Sequence, residues 1–221
     1  MNKEFCPLCY SSKIEFLVSK KVYKHKRDFM FCINCELVFV PEKFHLSKQE
    51  QINRYLQHNN NPYDSEYRKF LSKIIEPLID KIIPGAKGLD YGSGPGPTLS
   101  LMLDELGYSV NIYDIYFSED DSVLTFSYDF ITCSETAEHF VSPREEFDKL
   151  DKILKNNGIL AIMTSMLDSK DNFKDWYYNR DPTHLSFYTK NTMIWISNKY
   201  NYEISFYGSS VILFKKNISV N

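Results

Sequence analysis

Residues 88–96 read Gly-Leu-Asp-Tyr-Gly-Ser-Gly-Pro-Gly: an apolar stretch ends in Asp90 and runs straight into three alternating glycines, Gly92, Gly94 and Gly96. A helix-like run, Thr98 to Leu106, follows at once. Strand, glycine turn and helix in that order are the sequence form of a turn that cradles a nucleotide. Glycines allow a sharp bend and a close backbone approach, and the helix N-terminus offers unpaired N–H groups.

The elements after this turn keep alternating. Ser109 to Tyr113 reads as a second strand ending in Asp114, 24 positions after Asp90. That spacing suits an acid that accepts from a ribose hydroxyl, and it equally suits one that ends a strand or caps a turn. Tyr128 to Cys133 is a buried-type strand, followed by Ser134-Glu-Thr-Ala-Glu-His139. Ser142 and Glu145 form a predicted capping box, with Pro143 at the first position of a helix that runs through Leu154. Asn157-Gly158 then turns into the strand Ile159 to Thr164. Strands and helices in alternation predict an open, mostly parallel α/β sheet.

A dinucleotide fingerprint would need its third glycine at position 97, where Pro97 stands. Asp90-x-Gly92-x-Gly94-x-Gly96 resembles instead motif I of the class I S-adenosylmethionine (SAM) dependent methyltransferases. The run Tyr128-Asp-Phe-Ile…Glu138-His139-Phe…Leu154-Lys-Asn-Asn-Gly158-Ile-Leu is similar to the region after that motif in the methyltransferase-23-like branch. The resemblance spans roughly residues 50 to 215. It implies a Rossmann-like fold and a SAM site formed by Asp90, Gly92, Gly94, Gly96, Asp114 and Ser134, with Tyr55 or Tyr63 of a lid on the methionine moiety. Arg54 and His58 fall in the same lid segment.

One departure stands out. Only 13 residues separate Asp114 from Tyr128, where the family fits a helix, a third strand and an acidic adenine contact. A short strand at Val123 to Phe126 is still possible, with Asp120 or Asp121 as the acid and a truncated sheet edge.

Cysteines define a second unit. Four of the five fall as Cys6-Pro-Leu-Cys9 and Cys32-Ile-Asn-Cys35, two C-x-x-C pairs 22 residues apart. Antiparallel strands near Lys13 to Val18 and Asp28 to Phe31 would bring the pairs together as a tetrahedral S4 shell, which suits structural zinc. A module of about 40 residues has too little core to fold alone, so metal would supply its folding free energy. Two disulfides or four free thiols are the alternative. The fifth, Cys133, reads as an ordinary buried strand residue. The expected organisation is a zinc ribbon at 1–42, a helical linker or lid at 43–84 and a SAM-binding domain at 85–221.

Within the linker, Ser47-Lys-Gln-Glu50 is a capping box opening a helix to about Gln57. A second helix, Ser65 to Ile82, carries Phe70, Leu71, Ile74, Ile75, Leu78, Ile79 and Ile82 at helical spacing, with a kink expected at Pro77.

The second chemical constellation is Glu135-x-x-Glu138-His139 at the carboxyl end of a strand, where ligands lie in open α/β sheets. On a helical turn, positions i, i+3 and i+4 share a face. With His184 of Asp181-Pro-Thr-His184 as a distant fourth group, the pattern is similar to metal-dependent O-methyltransferases of the quinone-biosynthesis and small-RNA types. That resemblance implies a divalent cation on Glu135, Glu138, His139 and His184. The same residues read equally as acid–base or positioning groups (Glu135, His139 and His184 as the catalytic set) or as structural ones. Trp176-Tyr177-Tyr178 reads either as a cover for a planar acceptor or as packing.

Charge and hydropathy exclude other classes. A formal net charge of −3 supplies no general attraction to nucleic acid, although Lys20, Lys21, Lys24, His25, Lys26 and Arg27 cluster locally. No apolar stretch approaches the ~20 residues of a membrane helix, and no signal-peptide core is seen, so a cytoplasmic location is expected. The expected activity is SAM-dependent methylation of a hydroxyl on a small-molecule acceptor. A sugar C-methyltransferase, or a nucleic-acid-binding zinc ribbon on a degenerate methyltransferase fold, remain the alternatives.

Overall fold

The computed structural model describes residues 4–57 and 60–218, so the lid candidate His58 lies outside the described residues. At the amino end, β1 (Ile14–Val22) and β2 (His25–Cys32) form an antiparallel hairpin in which Lys20 faces Arg27 and Lys21 faces Lys26. The short β3 (Val38–Phe39) continues this sheet.

Two helices follow. In α1 (Lys48–Tyr55) the predicted box forms: the Ser47 side chain accepts from the Glu50 amide while the Glu50 carboxylate accepts from the Ser47 amide. The helix α2 (Ser65–Ile79) is capped by Asp64 and runs through Pro77. Proline near the end leaves only a few bonds to lose, so the helix stops one turn before Ile82. Leu71, Ile74, Ile75 and Leu78 are buried, and Phe70, Ile79 and Ile82 pack partly buried against the same cluster.

The main sheet contains β4 (Lys87–Tyr91), then α3 (Thr98–Glu105), β5 (Ser109–Tyr113), β6 (Tyr128–Ser134), α4 (Pro143–Ile153) and β7 (Leu154–Met163). Next come β8 (Ser186–Phe187), α5 (Lys190–Tyr200), β9 (Tyr202–Tyr207) and β10 (Val211–Lys216). Its spatial order is β5-β4-β6-β7-β10-β9. The first four strands are parallel, and β10 lies antiparallel between β7 and β9. Helices cover both faces, as a sheet buried on both sides requires. This is the mostly parallel α/β fold of the class I methyltransferase type.

Three local expectations are corrected. The segment Val123 to Phe126 is not a strand: Asp121–Thr125 winds as a 3₁₀ turn capped by Asp120, which accepts from the Ser122 amide. The 13-residue connection cannot reach the sheet edge and return, so β5 remains the edge strand. Ser142 makes no side-chain cap bond on α4, so the predicted Ser142–Glu145 box is absent and Pro143 alone marks the start. The strand predicted from Ile159 begins instead at Leu154, and Asn157 adopts φ 61° within it.

The ribbon sheet does not stand apart. Val38 and Phe39 of β3 pair antiparallel with Phe187 and Ser186 of β8. Cys6, Leu8, Cys32, Cys35, Leu37 and Phe39 belong to one buried cluster with Phe147, Tyr188 and Ile212 of the main body. Burial against the α/β body therefore supplies apolar contact that a 40-residue module lacks.

Candidate functional site

A cavity of about 610 Å³ opens over the carboxyl ends of β4, β5 and β6, within the size range of small-molecule sites. Gly92, Ser93, Gly94, Pro95 and Gly96 form one wall. Gly94 takes φ +65°, a region that L side chains rarely adopt. Gly96 is required by a protein neighbour: a Cβ there would meet the Asn60 carbonyl oxygen at 2.5 Å. Thr98 Oγ1 also donates to that carbonyl, so the segment before α2 is latched onto the glycine turn.

Asp114 lies at the cavity wall, 9% exposed, and already accepts three backbone N–H groups. Its Oδ2 takes the Gly94 amide at 2.9 Å, while Oδ1 takes Tyr116 at 2.8 Å and Phe117 at 3.1 Å. The acid thus fixes the glycine turn to the loop after β5, and Oδ2, which accepts a single amide, retains a lone pair for a ligand hydroxyl. Asp90 is buried on the floor, accepts from Thr132 Oγ1 at 2.9 Å, and is pushed up to about 7 by its burial.

Tyr55 lines the same cavity, its ring 5.1 Å from His139 and 5.8 Å from Tyr116, so α1 closes one side. Tyr63 is 89% exposed and does not line the cavity; of the two lid tyrosines only Tyr55 is in place. Arg54 does not line the cavity and pairs with Asp181 at 2.7 Å. Asp120 and Asp121 are exposed and do not line the cavity, which removes both as the adenine acid.

At the opposite end, Glu138, His139 and His184 bring one ligand atom each within 4.8 Å of one another. Thr183 O accepts from His139 Nδ1 at 3.0 Å, and Tyr178 O accepts from His184 Nδ1 at 2.8 Å. A carbonyl only accepts, so in the neutral rings both Nδ1 atoms carry the hydrogen and both Nε2 lone pairs are free. Such outer partners are what orient metal-ligating imidazoles. Glu138 is fully buried: its Oε1 accepts from the Tyr178 hydroxyl, and its Oε2 has no partner. Burial, followed by the neighbouring His139, holds His184 down to about 3, which keeps it neutral at physiological pH.

Glu135 falls outside this trio. It takes φ 49° ahead of the 3₁₀ turn Ala137–His139, so the helical face expected to align it with Glu138 and His139 starts too late. Its carboxyl still lines the cavity, reached by the Tyr178 hydroxyl at 3.4 Å, and burial with the adjacent Glu138 pushes it up to about 8. A non-glycine residue in the left-handed region costs roughly 1–2 kcal/mol, strain of the kind found at functional sites.

The four ribbon cysteines converge at the open end of the hairpin, where Cys32 pairs with Ile14. Cys6 Sγ lies 3.6 Å from Cys35 Sγ and Cys9 Sγ 3.4 Å from Cys32 Sγ, with all four within 4.8 Å. No pair is a disulfide. Zinc at 2.3 Å from each of four sulfurs separates them by about 3.8 Å, so the shell fits. Both knuckles close alike: the amides of Tyr10 and Glu36 reach back to the carbonyls of Cys6 and Cys32, at φ 57° and 58°.

A family model described as a methyltransferase domain matches residues 63–205, well over half of the chain. The chain belongs to the methyltransferase family. It is an enzyme of the SAM-dependent class. Among solved structures, magnesium protoporphyrin IX methyltransferase of Synechocystis PCC 6803 with bound S-adenosylhomocysteine (SAH) is 16% identical at a TM-score of 0.50, covering 77% of this chain and 95% of that one. An O-methyltransferase family protein of Burkholderia thailandensis is 13% identical at 0.48, covering 78% and 69%. These likenesses concern the fold. No curated protein matches the chain. No helix among the described residues is long and apolar enough to cross a membrane.

One residue of this methyltransferase site, Ser93, escapes sequence reasoning. Ser93 Oγ and Ser134 Oγ are buried, without partners, and belong to cavity-lining residues. With Glu138 Oε2 they make three of the four orphaned side-chain atoms among the described residues, and all three belong to residues lining this cavity. Buried polar atoms without partners mark places where a ligand completes the hydrogen bonding. Ser134 was legible as a site residue from the family pattern. Ser93, between two glycines, gives no signal beyond its place in the turn.

Proposed function

We propose that this methyltransferase binds SAM along the glycine turn and methylates a hydroxyl of a small-molecule acceptor beside Glu138, His139 and His184, which hold a divalent cation. The observation that carries this reading is the donor set: Glu138, His139 and His184 each bring a ligand atom within 4.8 Å of the others at one end of the cavity, both Nδ1 atoms are engaged by carbonyls so that Nε2 is left free, and Glu138 Oε2 has no partner. A bound cation would lower the pKa of a ligated hydroxyl.

The chain's own residues do the rest. Gly94 and Ser93 cradle the methionine part of SAM, and Asp114 accepts from the ribose. Tyr55, between His139 and Tyr116, closes the cavity from α1 and excludes water. In an in-line displacement the acceptor oxygen bonds the methyl carbon as the sulfur–carbon bond breaks, and its electron pair stays on sulfur. Glu135, whose carboxyl lines the cavity beside the cluster, takes the hydroxyl proton. His184, held near 3, is too weak a base for that task and serves as a neutral ligand. In the ribbon, Cys6, Cys9, Cys32 and Cys35 hold structural zinc.

Mn²⁺ titration followed by electron paramagnetic resonance tests the cation site in zinc-loaded protein with SAH. One Mn²⁺ per chain is expected for the wild type, with about 10-fold or weaker binding in Glu138→Gln. Equal binding by the two proteins would overturn the cation reading.

A further inference from the structure

We infer that Arg27, carried by the ribbon strand β2, is a positioning residue for the Glu138, His139 and His184 cluster. The inference rests on the proposed function for the purpose of that cluster. Its structural content is separate.

Arg27 is 1% exposed and heads the fully buried side chains by size. Its guanidinium meets no carboxylate directly. Nη1 donates to Asp181 O at 3.0 Å, Nη2 donates to His184 O at 2.6 Å, and Nε has no partner. Asp181 itself is engaged by Arg54, with its other oxygen accepting from the Thr183 amide and hydroxyl. The Asp181 carboxylate acts on this guanidinium only from a distance and the Phe29 ring lies 5.5 Å from it, so a buried charge with no carboxylate bonded to it still costs more than an apolar side chain of the same size would. Core packing alone therefore does not account for an arginine here.

What Arg27 grips is the loop 181–185, which carries His184 and is hydrogen-bonded to both other members of the cluster. His184 is in the loop. His139 is oriented by its Nδ1 donation to Thr183 O. Glu138 is tied through its backbone carbonyl, which accepts from the Leu185 amide at 2.7 Å. The ribbon adds one more bond, Val40 N to Leu185 O at 2.9 Å, and the β3–β8 pairing follows directly. Arg27 and Arg54 hold the two sides of Asp181, one from β2 and one from α1. The ribbon thus reaches the acceptor end of the cavity through one buried side chain.

The test uses full-length, zinc-loaded protein with ¹⁵N-labelled histidine, because a tautomer reports ring orientation and global stability does not. Wild type shows His139 and His184 as Nδ1–H rings. Arg27→Met, which keeps the stem and removes the donors, shifts both toward the Nε2–H form that a histidine side chain prefers in water. It also lowers Mn²⁺ affinity about 10-fold, the effect of losing an outer-shell partner, with SAH affinity within about twofold of wild type. Arg27→Lys restores part of both and serves if Arg27→Met does not fold. Val22→Ala, a cavity in the same ribbon core, lowers stability without changing the tautomers. Unchanged tautomers in Arg27→Met, or an equal change in Val22→Ala, overturns the inference. Wild type that binds no Mn²⁺ yet shows the Arg27-dependent tautomers overturns the cation reading and leaves the positioning role standing.

Discussion

Asp90 shows how one side chain can be legible in kind and not in state. The sequence places an acid at the end of a strand before a glycine turn; only the packed structure reveals that burial lifts its carboxyl to about 7. The sign of the consequence follows from linkage. A carboxyl raised above its unfolded value binds its proton more tightly when folded, so its contribution is complete below about pH 4 and is lost as pH rises through 7. In ligand-free protein Asp90 is expected to account for roughly 1 kcal/mol of the stability lost between pH 6 and pH 8, Glu135 adding to the loss in the same direction, so the decline is shallower in Asp90→Asn. Denaturant melts at the two pH values check it; a decline equally steep in Asp90→Asn contradicts it. Asp114 is the converse case. Its spacing pointed to a ribose acceptor or a turn cap, and its three backbone contacts are those of a cap that leaves acceptor capacity free. Glu135 escaped correct placement because its φ of 49° is a property of the strand-to-turn junction, which no spacing rule encodes.

At the scale of elements, periodicity and caps recovered most of the architecture. The apolar stripe of α2 and the Ser47–Glu50 box are both present, since each depends on residues within one or two turns. The Ser142–Glu145 box failed where Pro143 alone begins the helix, and the Val123 to Phe126 strand failed because β propensity yields to connection length. The ribbon gives the sharpest prediction at this scale. Purified protein is expected to carry one zinc per chain, and Cys9→Ser or Cys32→Ser to lose it. Because β3 pairs with β8, amide exchange should quicken more than about tenfold in β1 to β3 and at Ser186 and Phe187 as well. Metal analysis with exchange mass spectrometry reads both. Zinc-free wild type prepared under reducing conditions, with four freely titrating thiols, contradicts the metal assignment.

For the molecule as a whole, a ribbon and a methyltransferase sheet share one core and converge on one cavity. Gly94 and Asp114 face it from the sheet, Tyr55 from α1, and His184 from the loop that the ribbon grips. The fold class was readable from strand–helix alternation; the meeting of residues 45 positions apart, His139 and His184, required the sheet to place them. The central claim is that SAM occupies this cavity, and calorimetric titration tests it most directly. SAM and SAH are expected to bind one per chain. Gly94→Val should abolish binding, since a branched side chain at φ +65° is strained and would block the backbone approach. Asp114→Ala should weaken it by about 1–3 kcal/mol through loss of a matched acceptor. Binding of NAD with no heat from SAM or SAH would contradict the account.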